Sequence, residues 1–150
     1  MPRMFCHRFR TVFRAFMWVG LFATSAPVDA GPPVSTDVGT ASQEEVVVIT
    51  IRGREFAPLT VVLHAGRQTT LAFYNRDAEL HAFVPIGLLT GTHLSVSGTG
   101  APEFSTEGLQ RVIIPSEGKV DIRFIPDRPG RYPYFCDMPG HDMKALIIVE

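Results

Sequence analysis

From Glu45 onward the chain is cut into short runs, each apolar or alternating, with proline- or glycine-bearing turns between many of them. Lys119 to Ile125 repeats with period two: Val120, Ile122 and Phe124 fall on one face, Lys119, Asp121 and Arg123 on the other. That is the mark of a half-buried strand. Seven more runs read as strands: Glu45 to Arg52, Leu59 to Leu63, Gln68 to Tyr74, His81 to Ile86, Leu109 to Ile114, Arg131 to Cys136 and Lys144 to Glu150. Most are rich in β-branched or aromatic residues, which suit a pleated surface. Turns at His64-Ala65-Gly66, Ser116-Glu117-Gly118 and Asp127-Arg128-Pro129-Gly130 separate them. Seven or eight short strands of this kind predict an all-β sandwich. One segment breaks the pattern. Gly87 to Gly108 carries five glycines and no clear period, and reads as a short helix or an irregular flap.

The first thirty residues have a different character. Met1 to Arg14 holds four arginines and no acid, Ala15 to Ala26 is a short apolar run, and Val28-Asp29-Ala30 ends on a small residue. This order predicts a secretory signal peptide over residues 1–30, cleaved after Ala30. The apolar run is short of the roughly 20 residues a spanning helix needs, so no stable membrane insertion is expected after cleavage. Residues 31–43, rich in Pro, Gly, Ser and Thr, read as a flexible lead-in. Residues 44–150 are left as one domain, with no internal repeat.

Cleavage would remove four of the 14 basic residues and one of the 15 acids, leaving 10 and 14, a net charge of −4. Nucleic-acid binding calls for a concentrated basic surface, and this composition gives none. Cleavage would also remove Cys6, leaving Cys136 as the sole cysteine of an exported chain. A lone thiol in an oxidising compartment is an intermolecular linker, an inert buried residue, a nucleophile or a metal ligand.

The surroundings of Cys136 bear on that choice. In Cys136-Asp137-Met138-Pro139-Gly140-His141-Asp142-Met143 a strand delivers the thiol, a Pro-Gly turn reverses the chain, and an imidazole follows before the last strand. Both methionines beyond residue 30 fall in this stretch. A thiolate with two imidazoles and a weak thioether is the trigonal donor set of an electron-transfer copper centre. His81 is the best source of the second imidazole, although by itself it reads rather as a satisfied histidine at a strand end. His64 sits in a turn and His93 in the glycine-rich segment, and both read as surface residues. The same Cys/His/His set with water also fits a catalytic zinc shell. A cysteine nucleophile would need a base and oxyanion donors, and the compact loop offers no evident donors.

The spacing Gly66…Asn75…His81 followed by Gly130-x-Tyr132-x-Tyr134-x-Cys136-x-x-Pro139-Gly140-His141 resembles the cupredoxin family, most closely small blue copper proteins of the plastocyanin, rusticyanin and sulfocyanin kind. The similarity spans roughly residues 45–150. It implies a Greek-key β-sandwich or barrel, and one copper ion cycling between Cu(I) and Cu(II). It also implies ligands His81, Cys136 and His141 with Met143 axial, and transfer of single electrons. Two departures stand out. Met143 follows His141 by two residues only, a shorter interval than is usual in the family, so the Leu80 carbonyl or the Glu79 carboxylate is the alternative axial donor. Ala82 stands where many members carry an asparagine that braces the copper loop.

The resulting expectation is an exported monomer, periplasmic or secreted, that acts as an electron carrier and not an enzyme. Its partner would be a redox protein such as a cytochrome or an oxidase. One cysteine after cleavage, no His-x-His pair and a single domain argue against binuclear, multicopper and nitrite-reducing arrangements. Copper sequestration or delivery is the alternative function. For docking, Met138, Pro139, Met143, Pro85 and Ile86 are expected to form an apolar patch. Asp77, Glu79, Asp137 and Asp142 are expected to ring it with negative charge that steers a basic partner.

Overall fold

Alternation of apolar and polar side chains makes each run of the chain two-faced, and the faces are buried by stacking two sheets. A computed structural model describes residues 44–150; the predicted signal peptide and lead-in lie outside them. Eleven strands and no helix are found among the described residues. They are β1 (Glu45–Ile51), β2 (Phe56–Ala57), β3 (Thr60–Leu63), β4 (Thr69–Asn75), β5 (His81–Pro85), β6 (Leu94–Gly98), β7 (Ala101–Ser105), β8 (Gly108–Ile114), β9 (Lys119–Phe124), β10 (Gly130–Phe135) and β11 (Lys144–Val149). One sheet runs β2-β1-β4-β9-β6 and the other β3-β11-β10-β5-β8-β7. Parallel pairing of β1 with β4 and of β3 with β11 shows the chain crossing between sheets, as a Greek key requires.

All eight strands read from the sequence are present, with ends displaced by no more than one residue. The other three are β2, β6 and β7. In β6, Leu94 and Val96 are half-buried beside exposed Ser95 and a mostly exposed Gly98, a weak alternation that serines and glycine obscure. In β7 nearly every residue is exposed, so no apolar period marks it; its pairing with β8 makes it a strand. The glycines that suggest a flap have another cause. Gly98 (φ +105°) and Gly108 (φ +122°) lie where backbones meet: a Cβ would collide with the Lys119 carbonyl at the first and press on the Leu89 carbonyl at the second.

Ile49, Ile51, Leu63, Leu71, Val112, Ile114, Val120, Ile122 and Ile147 fill the space between the sheets. Behind β5 and β10 stands an aromatic cluster. Phe73 and Phe83 lie 4.6 Å apart between centroids, and Tyr134 packs edge-on to Phe56 at 4.9 Å and to Phe83 at 5.3 Å. Such pairs contribute about 0.5–1.5 kcal/mol each beyond the area they bury. The cluster stiffens the strands that carry His81 and Cys136. The buried Tyr134 hydroxyl has no hydrogen-bond partner among the described residues, and burial raises the phenol's pKa. An unpartnered buried hydroxyl costs stability without adding packing. Tyr134→Phe is therefore expected to stabilise the domain by about 1 kcal/mol, read as a higher urea midpoint; a lower midpoint would show that the hydroxyl is satisfied in solution.

Candidate metal centre

Antiparallel register brings the predicted site residues to one end of the sandwich. Phe135 pairs with Val84 and also with Lys144, so Cys136 leaves β10 close to where His81 enters β5 and Met143 enters β11. The Cys136 N–H donates to the Met143 carbonyl at 3.1 Å and closes the loop between β10 and β11. Inside it the His141 N–H donates to the Met138 carbonyl at 3.0 Å. Pro139 and Gly140 are the central residues of that turn. Gly140 at φ +79° supplies the left-handed position that Pro-Gly turns require.

The three predicted ligands meet. Cys136 Sγ lies 3.5 Å from His141 Nδ1 and 3.9 Å from His81 Nδ1, and the three atoms are mutually within 4.8 Å. Bonds of about 2.3 Å to sulfur and 2.0–2.1 Å to nitrogen, at trigonal to tetrahedral angles, would set those donors about 3.5–3.8 Å apart. The spacing therefore fits one ion of first-row size. Cys136 and His81 are buried, and the His141 side chain is 6% exposed. The Ala82 N–H donates to Cys136 Sγ at 3.3 Å. Met143 is buried against the core, next to this group in the chain. Both Glu79 oxygens bond Arg54, and Oε2 faces the outer His141 Nε2 at 3.5 Å, which argues against Glu79 as an axial donor.

A further layer grips the outer edges of the rings. His81 Nε2 is 2.9 Å from Asp77 Oδ2. Asp77 also accepts the Gly53 N–H at 2.7 Å and the Arg54 N–H at 3.0 Å. Burial opposes ionisation of Asp77, but those backbone donors and the His81 ring outweigh it and hold the carboxyl below its usual range. The Arg54 guanidinium does the same for Glu79. Asn75, buried at the end of β4, donates from Nδ2 to the Glu79 carbonyl at 2.8 Å and the Pro115 carbonyl at 2.9 Å, and its Oδ1 accepts the Asp77 N–H at 2.9 Å. This fixes the link to His81. The bracing that Ala82 cannot provide by side chain thus comes from its own N–H and from Asn75 and Asp77. Sequence reading gave no role to Gly53 or Arg54. The one available signal was Gly53 in an Arg-Gly-Arg-Glu turn after β1.

Two expectations about the surface are corrected. The four acids do not form a ring of free negative charge. Asp77 and Glu79 are held as above, Asp137 shares Arg111 with Glu103 at 2.8 Å, and Asp142 pairs with Lys144. Nor do Pro85 and Ile86 border the site. Ile86 donates to the Pro133 carbonyl, five positions along β5 from His81, about 16 Å at 3.3 Å per residue. Met143 is buried as well, so it adds little to a surface patch. Leu80, 51% exposed, and exposed Pro139 are the apolar surface close to the site residues in sequence. His64 pairs with Glu45, and His93 precedes β6; both are at the sheet end opposite Asn75, apart from the three donors.

Residues 12–149 match the family model of the cupredoxin-like domain. Among solved structures the chain is similar to auracyanin A, described as a "blue" copper protein from the green thermophilic photosynthetic bacterium Chloroflexus aurantiacus. Identity is 17%, with 71% of this chain and 99% of that chain covered and a TM-score of 0.54. Auracyanin B is similar at 18% identity, 75% and 93% coverage and a TM-score of 0.56. At such identities the likeness shows the fold. No curated protein matches the chain. Among the described residues no helix is long and apolar enough to cross a membrane.

The depressed carboxyls give the metal-free domain an acid limb. Asp77 titrates lower folded than unfolded, so its contribution is complete above about pH 4, the ordinary aspartate value, and is lost as pH falls through the folded value. Melting temperature is expected to drop as pH is lowered below about 4, and Asp77→Asn should make that drop shallower. An unaltered slope in the variant would show that Asp77 is not held in this way.

Proposed function

This chain belongs to the cupredoxin-like domain family, and from that premise we propose that it is an exported carrier of single electrons built around one copper ion. His81, Cys136 and His141 would hold the ion, with Met143 as the weak axial donor. The observation that carries the reading is the convergence of one sulfur and two Nδ1 atoms, 3.5 and 3.9 Å apart, at a closed end of the sandwich. A soft thiolate with two imidazoles suits copper, and a bound copper ion would supply a one-electron couple.

The residues of the chain do the rest. Cys136 would bind as thiolate, and the Ala82 N–H is aimed at its sulfur. His81 is held in its ring orientation by Asp77, as ligating histidines usually are by a carboxylate or carbonyl on their other nitrogen. The strands and the aromatic cluster behind them keep the donors in place whether or not an electron has been gained, so little rearrangement accompanies each transfer. Export to the periplasm, or secretion, rests on the basic-then-apolar order of residues 1–30. The partner would be a redox protein such as a cytochrome or an oxidase. With the local acids paired, long-range attraction of a basic partner is not part of the proposal.

Adding Cu(II) to the purified metal-free protein should produce an intense visible thiolate-to-copper band and a reversible redox couple. Cys136→Ser should abolish the band and keep the β-sheet circular dichroism, since a sulfur-to-oxygen change in one core residue leaves the other buried side chains of the two sheets in place. Colourless, tightly held Cu(I) would favour sequestration or delivery; preference for Zn(II) with no coloured copper form would sink the reading. Met143→Leu tests the axial position. Loss of a donor that favours Cu(II) should raise the reduction potential and leave the colour, whereas an unchanged potential would assign the axial position elsewhere.

A further inference from the structure

One turn reaches the outer edges of both candidate imidazoles through two carboxylates, Asp77 and Glu79. Arg52 and Glu55 close the β1–β2 hairpin with two mutual backbone hydrogen bonds, at 3.1 and 3.2 Å, and leave Gly53 and Arg54 at its tip. Both tip residues are left-handed, at φ +62° and +60°, as a two-residue hairpin requires. Glycine suits that geometry, but at Arg54 it crowds the side chain against its own backbone. The chain nevertheless places an arginine there, and its Nε and Nη2 groups are both engaged by Glu79. The Arg76 N–H donates to the Ile51 carbonyl at 2.8 Å, which sets the tip beside the link that leads to His81.

Two arms leave the tip. Through backbone N–H groups, Gly53 and Arg54 hold the Asp77 carboxylate, whose Oδ2 meets His81 Nε2. Through its guanidinium, Arg54 holds Glu79 in a two-pronged ion pair, and Glu79 Oε2 lies over His141 Nε2. The second arm stands over a ring that is almost wholly covered although Gly140 and Asp142 on either side are exposed; the His81 ring, 4.8 Å away between centroids, lies against it as well. Glu79 by itself is an exposed, flexible side chain with no other side-chain partner among the described residues; the planar fork of Arg54 fixes where it stands.

We propose that Arg54 is a positioning residue for the metal centre, fixing and shielding the outer edge of His141 through Glu79. The importance of that edge rests on the copper reading above, in which His141 is a ligand; the contact itself does not. Exposed ion pairs are weak and exchangeable, so the shield can open without unfolding.

Arg54→Gly isolates the side-chain arm. Glycine accepts φ +60° freely and keeps the N–H that Asp77 accepts, so the hairpin and the His81 arm should survive. In the metal-free protein, diethyl pyrocarbonate modification followed by mass spectrometry reads the accessibility of each imidazole. The rate at His141 is expected to rise severalfold in Arg54→Gly and in Glu79→Ala, with His64 and His81 unchanged; Arg54→Lys, which keeps the charge without the fork, should fall between. An unchanged rate at His141 in both Arg54→Gly and Glu79→Ala would overturn the proposal, whatever the protein does with copper. In the copper-loaded protein, Arg54→Gly should lower the reduction potential, because Glu79 loses its compensating charge and then favours the more positive ion. Absence of a coloured copper form in the unaltered protein would refute the electron-carrier reading and leave the modification rates to decide the role of Arg54.

Discussion

The antiparallel pairing of β10 with both β5 and β11 is the constraint on which the site depends. It puts the end of one strand beside the beginnings of two others, so that Cys136, His81 and Met143 share one end of the sandwich although His81 is more than fifty positions from the other two. A slip of one residue in either pairing would turn Cys136 or His81 to the opposite face. Register is secured away from the site. Tyr134, Phe83, Phe73 and Phe56 interlock behind these strands, and a one-residue shift would expose part of that cluster. The packing energy of the core is thus what specifies the geometry of the donors.

Much of this was legible because strand periodicity and turn chemistry are local. Val120, Ile122 and Phe124 announce their common face, and Pro139-Gly140 announces a reversal that returns His141 toward Cys136. The limits have equally particular causes. β7 is an edge strand with almost no buried side chain, so its existence depends on β8 and not on its own pattern. Gly98 and Gly108 look like flexibility in the sequence and are tight backbone approaches in the fold. Arg54 belongs to the site through an ion pair with Glu79 and, beside Gly53, one backbone N–H bond to Asp77, links between positions more than twenty residues apart that no local pattern carries.

Charge was the property least legible from sequence. Counting acids near Cys136 and His81 suggests a negative collar, yet the Arg54, Arg111 and Lys144 side chains pair with Glu79, Asp137 and Asp142, and Asp77 is occupied by N–H groups and a ring nitrogen. Screening and pairing reduce the field that such groups project toward a partner. Two of the carboxylates, Asp77 and Glu79, act at short range instead, on the edges of His81 and His141. These two acids, which seemed to address another protein, are part of the inner framework of this one.

That framework also bears on what Cys136, the one thiol of the described residues, is for. Asp77 and Glu79 face the outer nitrogens of the two rings, which leaves both Nδ1 atoms and Cys136 Sγ turned toward one another in a region closed to solvent. Burying polar atoms with no partner but each other is costly, and a core needing only bulk would place apolar side chains there. An inert cysteine would have no use for two imidazoles aimed at it. A nucleophile would need one base and an open approach, whereas this sulfur is buried, with two rings and a backbone N–H about it. A single cation at the centre satisfies all three inward atoms together, and the fit between their spacing and ordinary metal–ligand bond lengths is why the donor set reads as a metal centre.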